Sequence, residues 1–387
     1  MLSAAVATPS SPDERQDMID RARTALLSQG QVPTALGIEP WIVRSWQRCL
    51  AQGHAPGQRV AFDLVSAAML RSVAEQHRHL LQAARPVLAH LTRAIAGMHY
   101  FAVLTDARGV AVDVQGAIDH GDARVHAIGR VGIDLSEAAV GTTAIGAALA
   151  ELQPVWLHRG EHFFNDNTSY SCAGAPLFDP HGQCIGMLDL TGVDVPERPE
   201  LRHLVDRSAR AIEDALLLQQ PHALLLRLNW PGSTLGGEGD GLMLLDADGY
   251  VVGTNRTARQ LVPQPLRAPD TRPHAGDLLA LPWPLLFDAA LQQQRSGPVP
   301  MDMPLWSGLR LQGLALPARP AGQRTSFAPL LAPAPGHAAA SAPLRESETA
   351  LIRQAVQDAR GNVAEAARAL GISRATVYRK LGTPRGH

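Results

Sequence analysis

Between Pro317 and Pro343 the chain carries nine alanines and six prolines in 27 residues, a composition with too few large apolar side chains to hold a core. The stretch reads as a semi-extended tether, so the chain must fold as separate bodies on either side of it. At 387 residues there is room for two to four packed units. Residues 344–387 carry seven arginines and Lys380 against Glu346, Glu348, Asp358 and Glu365, a net +4, which leaves −5 for the rest of a chain whose formal charge is −1. A small basic module is thus tied to an acidic body.

Lys380 is the only lysine; the other 34 basic residues are arginine. A phosphate-binding P-loop needs lysine after glycine and before serine or threonine, whereas Lys380 lies between Arg379 and Leu381. An ordinary P-loop ATPase is therefore excluded, and so is a lysine Schiff base in an apolar pocket. Cys49, Cys172 and Cys184 are odd in number and far apart, which suits reduced thiols in a cytoplasm better than a disulfide framework. Residues 1–15 lack a basic and apolar leader, and no apolar run reaches membrane-spanning length. A cytoplasmic protein with no membrane partner is expected.

Within the body, Asp17 to Gly53 and Phe62 to Gly97 have helical periodicity. The period then changes. Tyr100–Leu104, a turn at Asp106–Gly109 and Val110–Val114 predict a β-hairpin. Further strands are expected at Pro154–Leu157, Cys172–Phe178 and Cys184–Leu190, with a turn at Asp179–Gly182, and a helix at Leu201–Leu218. A second unit from near His222 repeats the theme: strand Gly241–Leu245, turn Asp246–Gly249, strand Tyr250–Thr254, and a helix to Leu261 capped by Asn255. Strands flanked by helices predict α+β units.

In the basic module, Leu351, Ile352, Ala355, Val356 and Ala359 make one helix face; Gly361-Asn362 breaks it, and Asn362 is placed to cap a second helix with Val363, Ala366, Ala367 and Leu370 inward. Ser373 caps a third, in which Val377 and Leu381 face inward. Three helices with a tight turn before the last is helix-turn-helix geometry. Arg374 and Thr376 then project from the N-terminal end of the third helix, where such helices meet base edges, while Arg379, Lys380 and the helix start at Asn362 suit phosphates. Ser373 and Tyr378 complete the candidate DNA-binding set. The plain alternative is a solvated charged face on a terminal bundle.

The run from Leu351 to Leu381, with Gly361-Asn-Val-x-x-Ala-Ala-x-x-Leu-Gly-Ile-Ser-Arg-x-Thr-x-Tyr-Arg-Lys-Leu381, resembles the Fis-type DNA-binding domain of bacterial sigma-54-dependent activators. Glu137-Ala-Ala-Val-Gly-Thr-Thr-Ala-Ile-Gly146, Glu161-His-Phe-Phe164, Ser171–Gly182 and Gly186-Met-Leu-Asp-Leu190 resemble the GAF domain of the acetoin-catabolism type of regulator, and Ile42–Cys49 is similar to the segment preceding it. Asp246–Leu261 looks like a PAS core. Thr143 stands where that family usually has asparagine. The central AAA+ domain of such activators has no counterpart here, since its P-loop is excluded and no Gly-Ala-Phe-Thr-Gly-Ala loop occurs.

The resemblance implies a multidomain α+β chain. Its parts are an N-terminal helical segment (1–80), a GAF-like sensory domain (81–220), a PAS-like unit (221–316), the linker (317–343) and a Fis-type helix-turn-helix (344–387). It implies a homodimeric transcriptional regulator that binds operator DNA and a small-molecule effector without remodelling a sigma-54 polymerase by ATP hydrolysis. The rival is an interaction protein that antagonises a full-length activator by heterodimerisation. Trp156, His162, Phe164, Asn167, Tyr170 and Cys172, with Phe163, offer aromatic bodies and a few polar tips for the effector; the alternative is that Trp156 and the phenylalanines are core. His158, His162, Cys172 and Cys184 are too far apart for a convincing metal site. No metal, cofactor or catalytic residue is expected, because no nucleophile elbow, zinc-protease helix or dinucleotide fingerprint occurs.

Overall fold

A computed structural model describes residues 12–119, 121–263 and 272–318, with Val363 alone beyond them. The chain divides into two compact units, Met1–Arg324 and Thr325–His387. In the second only Val363, which is helical, is described. The predicted linker from Arg319 onward and the candidates Asn362, Ser373, Arg374, Thr376, Tyr378, Arg379 and Lys380 lie outside the described residues.

The first unit opens with α1 (Pro12–Gln29) and α2 (Pro40–Ala51). The helical stretch predicted over Asp17–Gly53 is therefore split, by a 3-10 turn at Thr34–Leu36 between Pro33 and Pro40. Neither proline can donate a backbone hydrogen bond, and each pushes its predecessor out of the helical region. Pro40 instead starts α2, where the missing N–H costs nothing. Trp41, Ile42, Ser45, Trp46 and Cys49 form the buried stripe of α2.

The second predicted helical stretch begins late and breaks once, giving α3 (Ala67–Gln76) and α4 (Arg78–Ala94). Phe62–Val65 stays extended because Leu64 bridges to Ile133 and the Val65 N–H donates to the Gly132 carbonyl at 2.8 Å. Ser66 then caps α3, accepting from the Met69 N–H at 3.2 Å.

The predicted hairpin is β1 (Tyr100–Asp106) and β2 (Ala111–Gly116), its turn held by Asp106 Oδ1 accepting from the Arg108 and Val110 N–H groups. Short helices α5 (Ala123–Ile128), α6 (Glu137–Val140) and α7 (Ala144–Glu151) lead to β3 (Val155–His158), β4 (Tyr170–Phe178) and β5 (Cys184–Val193). Helix α8 (Leu201–Leu217) closes the layer. The five strands form an antiparallel sheet in the order β2-β1-β5-β4-β3.

This sheet is covered on both faces, and strand alternation decides which side chain meets which layer. Phe101, Val103, Val155, Leu157, Tyr170, Cys172 and Met187 share one core with Ile19 of α1, Trp46 of α2 and Ile145 of α7. Their neighbours along the strands, among them Tyr100, Ala102, Trp156, Ala173, Leu188 and Leu190, share the other core with Leu88 and Leu91 of α4 and Val205, Ala209 and Ile212 of α8. Each buried large side chain contributes about 1.5–3 kcal/mol.

A second sheet follows, of β6 (Leu224–Asn229), β7 (Gly241–Leu245), β8 (Val251–Thr254), β9 (Met301–Pro304) and β10 (Arg310–Pro317), in the order β8-β7-β6-β10-β9. Helices α9 (Arg256–Leu261), α10 (Ala275–Leu278) and α11 (Pro284–Ser296) lie between β8 and β9. The hairpin β7–β8 and the Asn255-capped α9 match the sequence expectation. Strand β6 was not anticipated; it lies between β7 and β10, and Leu224, Leu226 and Leu228 send every second side chain into a core with Met243, Leu245 and Leu311. Pro317, read as the first linker residue, is the last of β10 and pairs in register with Leu224. No helix among the described residues is long and apolar enough to cross a membrane.

Candidate sensory site

The motif Glu137–Gly146 lies at the start of α6 and α7 and is tied down almost residue by residue. Arg48 of α2 grips Glu137 bidentately, Nε to Oε1 at 2.6 Å and Nη2 to Oε2 at 2.9 Å. Ser45 donates to Glu137 Oε2 at 2.7 Å and lies 2.8 Å from Thr142 Oγ1. His54 Nε2 is 3.0 Å from the Ala138 carbonyl, and Asn167 Nδ2 donates to the Val140 carbonyl at 3.0 Å. Thr143 caps α7 by accepting from the Gly146 N–H at 3.2 Å. Threonine and asparagine are both good N-caps, so the departure at Thr143 preserves this role.

The Glu161–Asn167 loop is held from α1. Arg23 donates to the carbonyls of Gly160, His162 and Phe163 at 2.5–2.9 Å. Arg15 pairs with the buried Glu161 at 2.6 Å, and Trp46 Nε1 donates to the Glu161 carbonyl at 2.8 Å. Phe164 packs edge-on against His54 and Phe163, with ring centroids 5.2 and 5.3 Å away. This places Phe163 and Phe164 in the core and gives Phe164 and Asn167 a part in clamping the 137–143 loop.

The six residues predicted to meet an effector do not share one surface. His162, Phe164, Asn167, Tyr170 and Cys172 gather on the α1–α2–α7 side, whereas Trp156 faces the α4–α8 layer, where Arg15 Cζ lies 4.9 Å from its ring centroid. Val155, Trp156 and Leu157 are all apolar, so composition could not reveal which of them faces which layer. On the first side, His162 Nδ1 is 2.9 Å from the Arg159 carbonyl and must carry the proton. Burial pushes its pKa down to about 4, so the ring is neutral and Nε2 is a bare acceptor without a partner. Asn167 Oδ1 is likewise unpartnered, while Tyr170 Oη donates to the Arg124 carbonyl at 3.0 Å.

The four residues weighed as metal ligands are engaged separately. His158 Nδ1 lies 2.5 Å from Ser171 Oγ, Cys172 Sγ lies 3.4 Å from Thr191 Oγ1, and Cys184 Sγ reaches the Gly186 carbonyl at 3.5 Å. Among the described residues no cluster of three or more His, Cys, Asp or Glu could hold a metal ion.

Asp189 lies inside Gly186-Met-Leu-Asp-Leu190 but is not among the residues that sequence patterning singles out. It is fully buried, on the same sheet face as Cys172 and Met187. Thr191 donates to its Oδ2, and its Oδ1 has no partner. Burial raises the carboxyl pKa to about 7, with the Thr191 hydrogen bond opposing. The available signal was an acid in the middle of an apolar strand.

A second polar knot joins α8 to the second sheet. Arg256 contacts Asp206 at 3.0 Å, Glu213 at 2.6 Å and the Pro176 carbonyl at 3.1 Å, with Cζ 4.9 Å from the Phe178 ring centroid. Beside it, Asn255 Nδ2 donates to Asp214 at 2.9 Å and to the Asp240 carbonyl at 3.0 Å. The Thr254 N–H donates to the Pro180 carbonyl at 2.9 Å, tying β8 to the β4–β5 turn.

Comparison with known proteins gives two family matches. Residues 343–382 match the bacterial regulatory protein, Fis family, and residues 15–214 match the MimR N-terminal domain. The acetoin catabolism regulatory protein of Cupriavidus necator is 30% identical over 285 residues, 72% of this chain and 42% of that protein. The propane 2-monooxygenase operon transcriptional activator MimR of Mycolicibacterium goodii is 31% identical over 200 residues, 51% of this chain and 33% of that one. The chain thus spans less than half the length of either relative. Among solved structures, the E. coli DhaR(N)–DhaL complex matches at 17% identity over 72% of this chain and all of that one, with a TM-score of 0.44. Since the match at 15–214 takes in just over half of its residues, the chain belongs to the MimR N-terminal domain family, here in one polypeptide with a Fis-family helix-turn-helix.

Proposed function

We propose that the protein is a sequence-specific transcriptional regulator, a cytoplasmic homodimer whose GAF-like domain (81–220) senses a small molecule and whose helix-turn-helix (344–387) binds operator DNA. The PAS-like unit is assigned to 221–316 and the linker to 317–343. The observation that carries this reading is a family match on the segment whose sequence carries the helix-turn-helix pattern. The Fis-family match spans 343–382, and the sequence pattern there assigns Arg374 and Thr376 to base edges and Asn362, Arg379 and Lys380 to phosphates, with Ser373 capping the third helix and Tyr378 completing the set.

A hydrogen-bonded frame supports the sensory part: the Glu137–Gly146 and Glu161–Asn167 loops are tied to α1 and α2, and buried polar atoms of Asn167, His162 and Asp189 have no partner. An effector must bind two arrangements of the dimer with different affinity, because equal affinity shifts nothing. Residues 215–342, between the two matched segments, contain no lysine, which supports regulation by occupancy rather than by ATP-driven remodelling. That same observation favours a second reading, an antagonist that forms inactive heterodimers with a longer activator. Footprinting separates the two, since only a regulator protects an operator alone.

Arg374→Ala is expected to weaken operator binding by about 1–3 kcal/mol and relax preference at one base position, whereas Lys380→Ala weakens all sequences evenly and reduces the salt slope by about 1. Fluorescence anisotropy with operator and scrambled DNA at several salt concentrations reads both. Unchanged affinity and preference in Arg374→Ala would overturn the recognition-helix assignment.

A further inference from the structure

We infer that the outer face of α11 is a docking surface for the same helix of a second copy of this chain, the two helices running antiparallel across a two-fold axis beside Leu291. The inference deepens the homodimer reading above and rests on it.

Helix α11 is apolar nearly all the way round. Leu286 and Ala290 are buried in the core of the second sheet. On the far side Leu285 and Leu291 stay 48% and 56% exposed, and Val299, just past the helix, is 59% exposed. A helix with apolar residues on every side belongs where both sides are covered. At 3.6 residues per turn, Pro284, Asp288, Leu291 and Arg295 form one stripe opposite Leu286 and Ala290, and all four are exposed.

The charges on that stripe select the occupant. Asp288 and Arg295 have no hydrogen-bond or ion-pair partner among the described residues, and they stand about 10 Å apart along the helix axis, too far to pair with each other. An acidic or a basic partner would answer one of them and repel the other. A second α11 answers both. In the antiparallel register that sets Asp288 against the partner's Arg295, symmetry sets Arg295 against the partner's Asp288. The same register puts Leu291 beside the axis, against its own counterpart, and brings Pro284 and Leu285 toward the partner's Pro298 and Val299. A patch that complements itself in both charge and apolar surface is what an isologous contact requires. The helix is only about 20 Å long, so α11 supplies part of a stable dimer interface rather than all of it.

The test uses the full chain. Sedimentation equilibrium at low ionic strength gives the dimer dissociation constant of Asp288→Arg, Arg295→Asp and the double variant. Each single swap is expected to raise it about tenfold or more, because the two-fold axis repeats the like-charge contact. The double swap is expected to return it to within about threefold of the unaltered chain, since it exchanges the pair without removing it. Both side chains are exposed and have no partner in their own chain, so the swaps leave the fold intact. Independently, Leu291→Cys under copper-phenanthroline oxidation is expected to form a disulfide-linked dimer faster than Ser28→Cys at an exposed position of α1. The unaltered chain, whose Cys49 and Cys172 are buried, gives the background. Single swaps without effect, a double swap that fails to restore association, crosslinking at Leu291 no faster than at Ser28, or growth into species larger than a dimer would overturn the inference. A chain that stays equally dimeric through the swaps keeps the homodimer reading and loses this surface; a chain that is monomeric at every concentration removes both.

Discussion

Arg256→Ala is expected to lower the unfolding free energy by about 3–5 kcal/mol, the usual consequence of removing one partner of a buried ion pair. Glu213 has 4% side-chain exposure, and burial already pushes its carboxyl pKa upward against the pull of Arg256. Without the guanidinium it must either stay charged and unpaired or take up a proton, and Asp206 and the Pro176 carbonyl lose a donor with it. Arg256→Lys is expected to recover only part of the loss, because a single ammonium cannot address Asp206, Glu213 and Pro176 in the planar fork that guanidinium offers. Chemical denaturation of the two variants measures both effects. A loss below about 1 kcal/mol for alanine would place this network among the weak surface pairs instead.

Gly141→Ala is expected to cost about 2–5 kcal/mol, from backbone strain and overpacking together. Gly141 has φ 69° and ψ −157°, a region open essentially to glycine alone. A Cβ there would stand 2.7 and 2.8 Å from the Phe164 ring. The two contributions separate in a double-mutant cycle: Phe164→Leu in the alanine background removes the collision and leaves the strain, so the double variant costs less than the sum of the two single variants. If the pair were strictly additive, ring contact would have no part in the effect. Because the 137–143 loop is also anchored by Arg48, Ser45, His54 and Asn167, the loss extends to the start of α7 rather than to one residue.

Much of the architecture was legible because local chemistry agrees with it. The Asp106–Gly109 and Asp179–Gly182 turns, the strands they join, and Asn255 as a cap follow from short-range rules, and the structure has them where those rules put them. The misread places depend on distant partners. Phe62–Val65 has helical periodicity, yet Gly132 and Ile133 hold it extended. Leu224–Asn229 is a strand because β7 and β10 flank it, and three consecutive leucines do not announce that. Trp156 and Cys172 fall into one candidate set as aromatic bodies and polar tips, but a sheet buried on both faces hides the parity that separates them. Arg256 looked like an ordinary residue of a helix start, and its partners are 43 and 50 positions away. Asp189 was visible as an acid among apolar residues; only the structure shows that one of its oxygens has no partner.

The regulator reading meets its most direct test in operator binding by the full chain beside a chain truncated after Pro343, each measured with DNA from upstream of its own gene at two salt concentrations. The expected result is specific binding that weakens with added salt, as phosphate contacts release counterions, and that disappears on truncation. Equal binding by the truncated chain, or no sequence preference in the intact one at either salt, would contradict it.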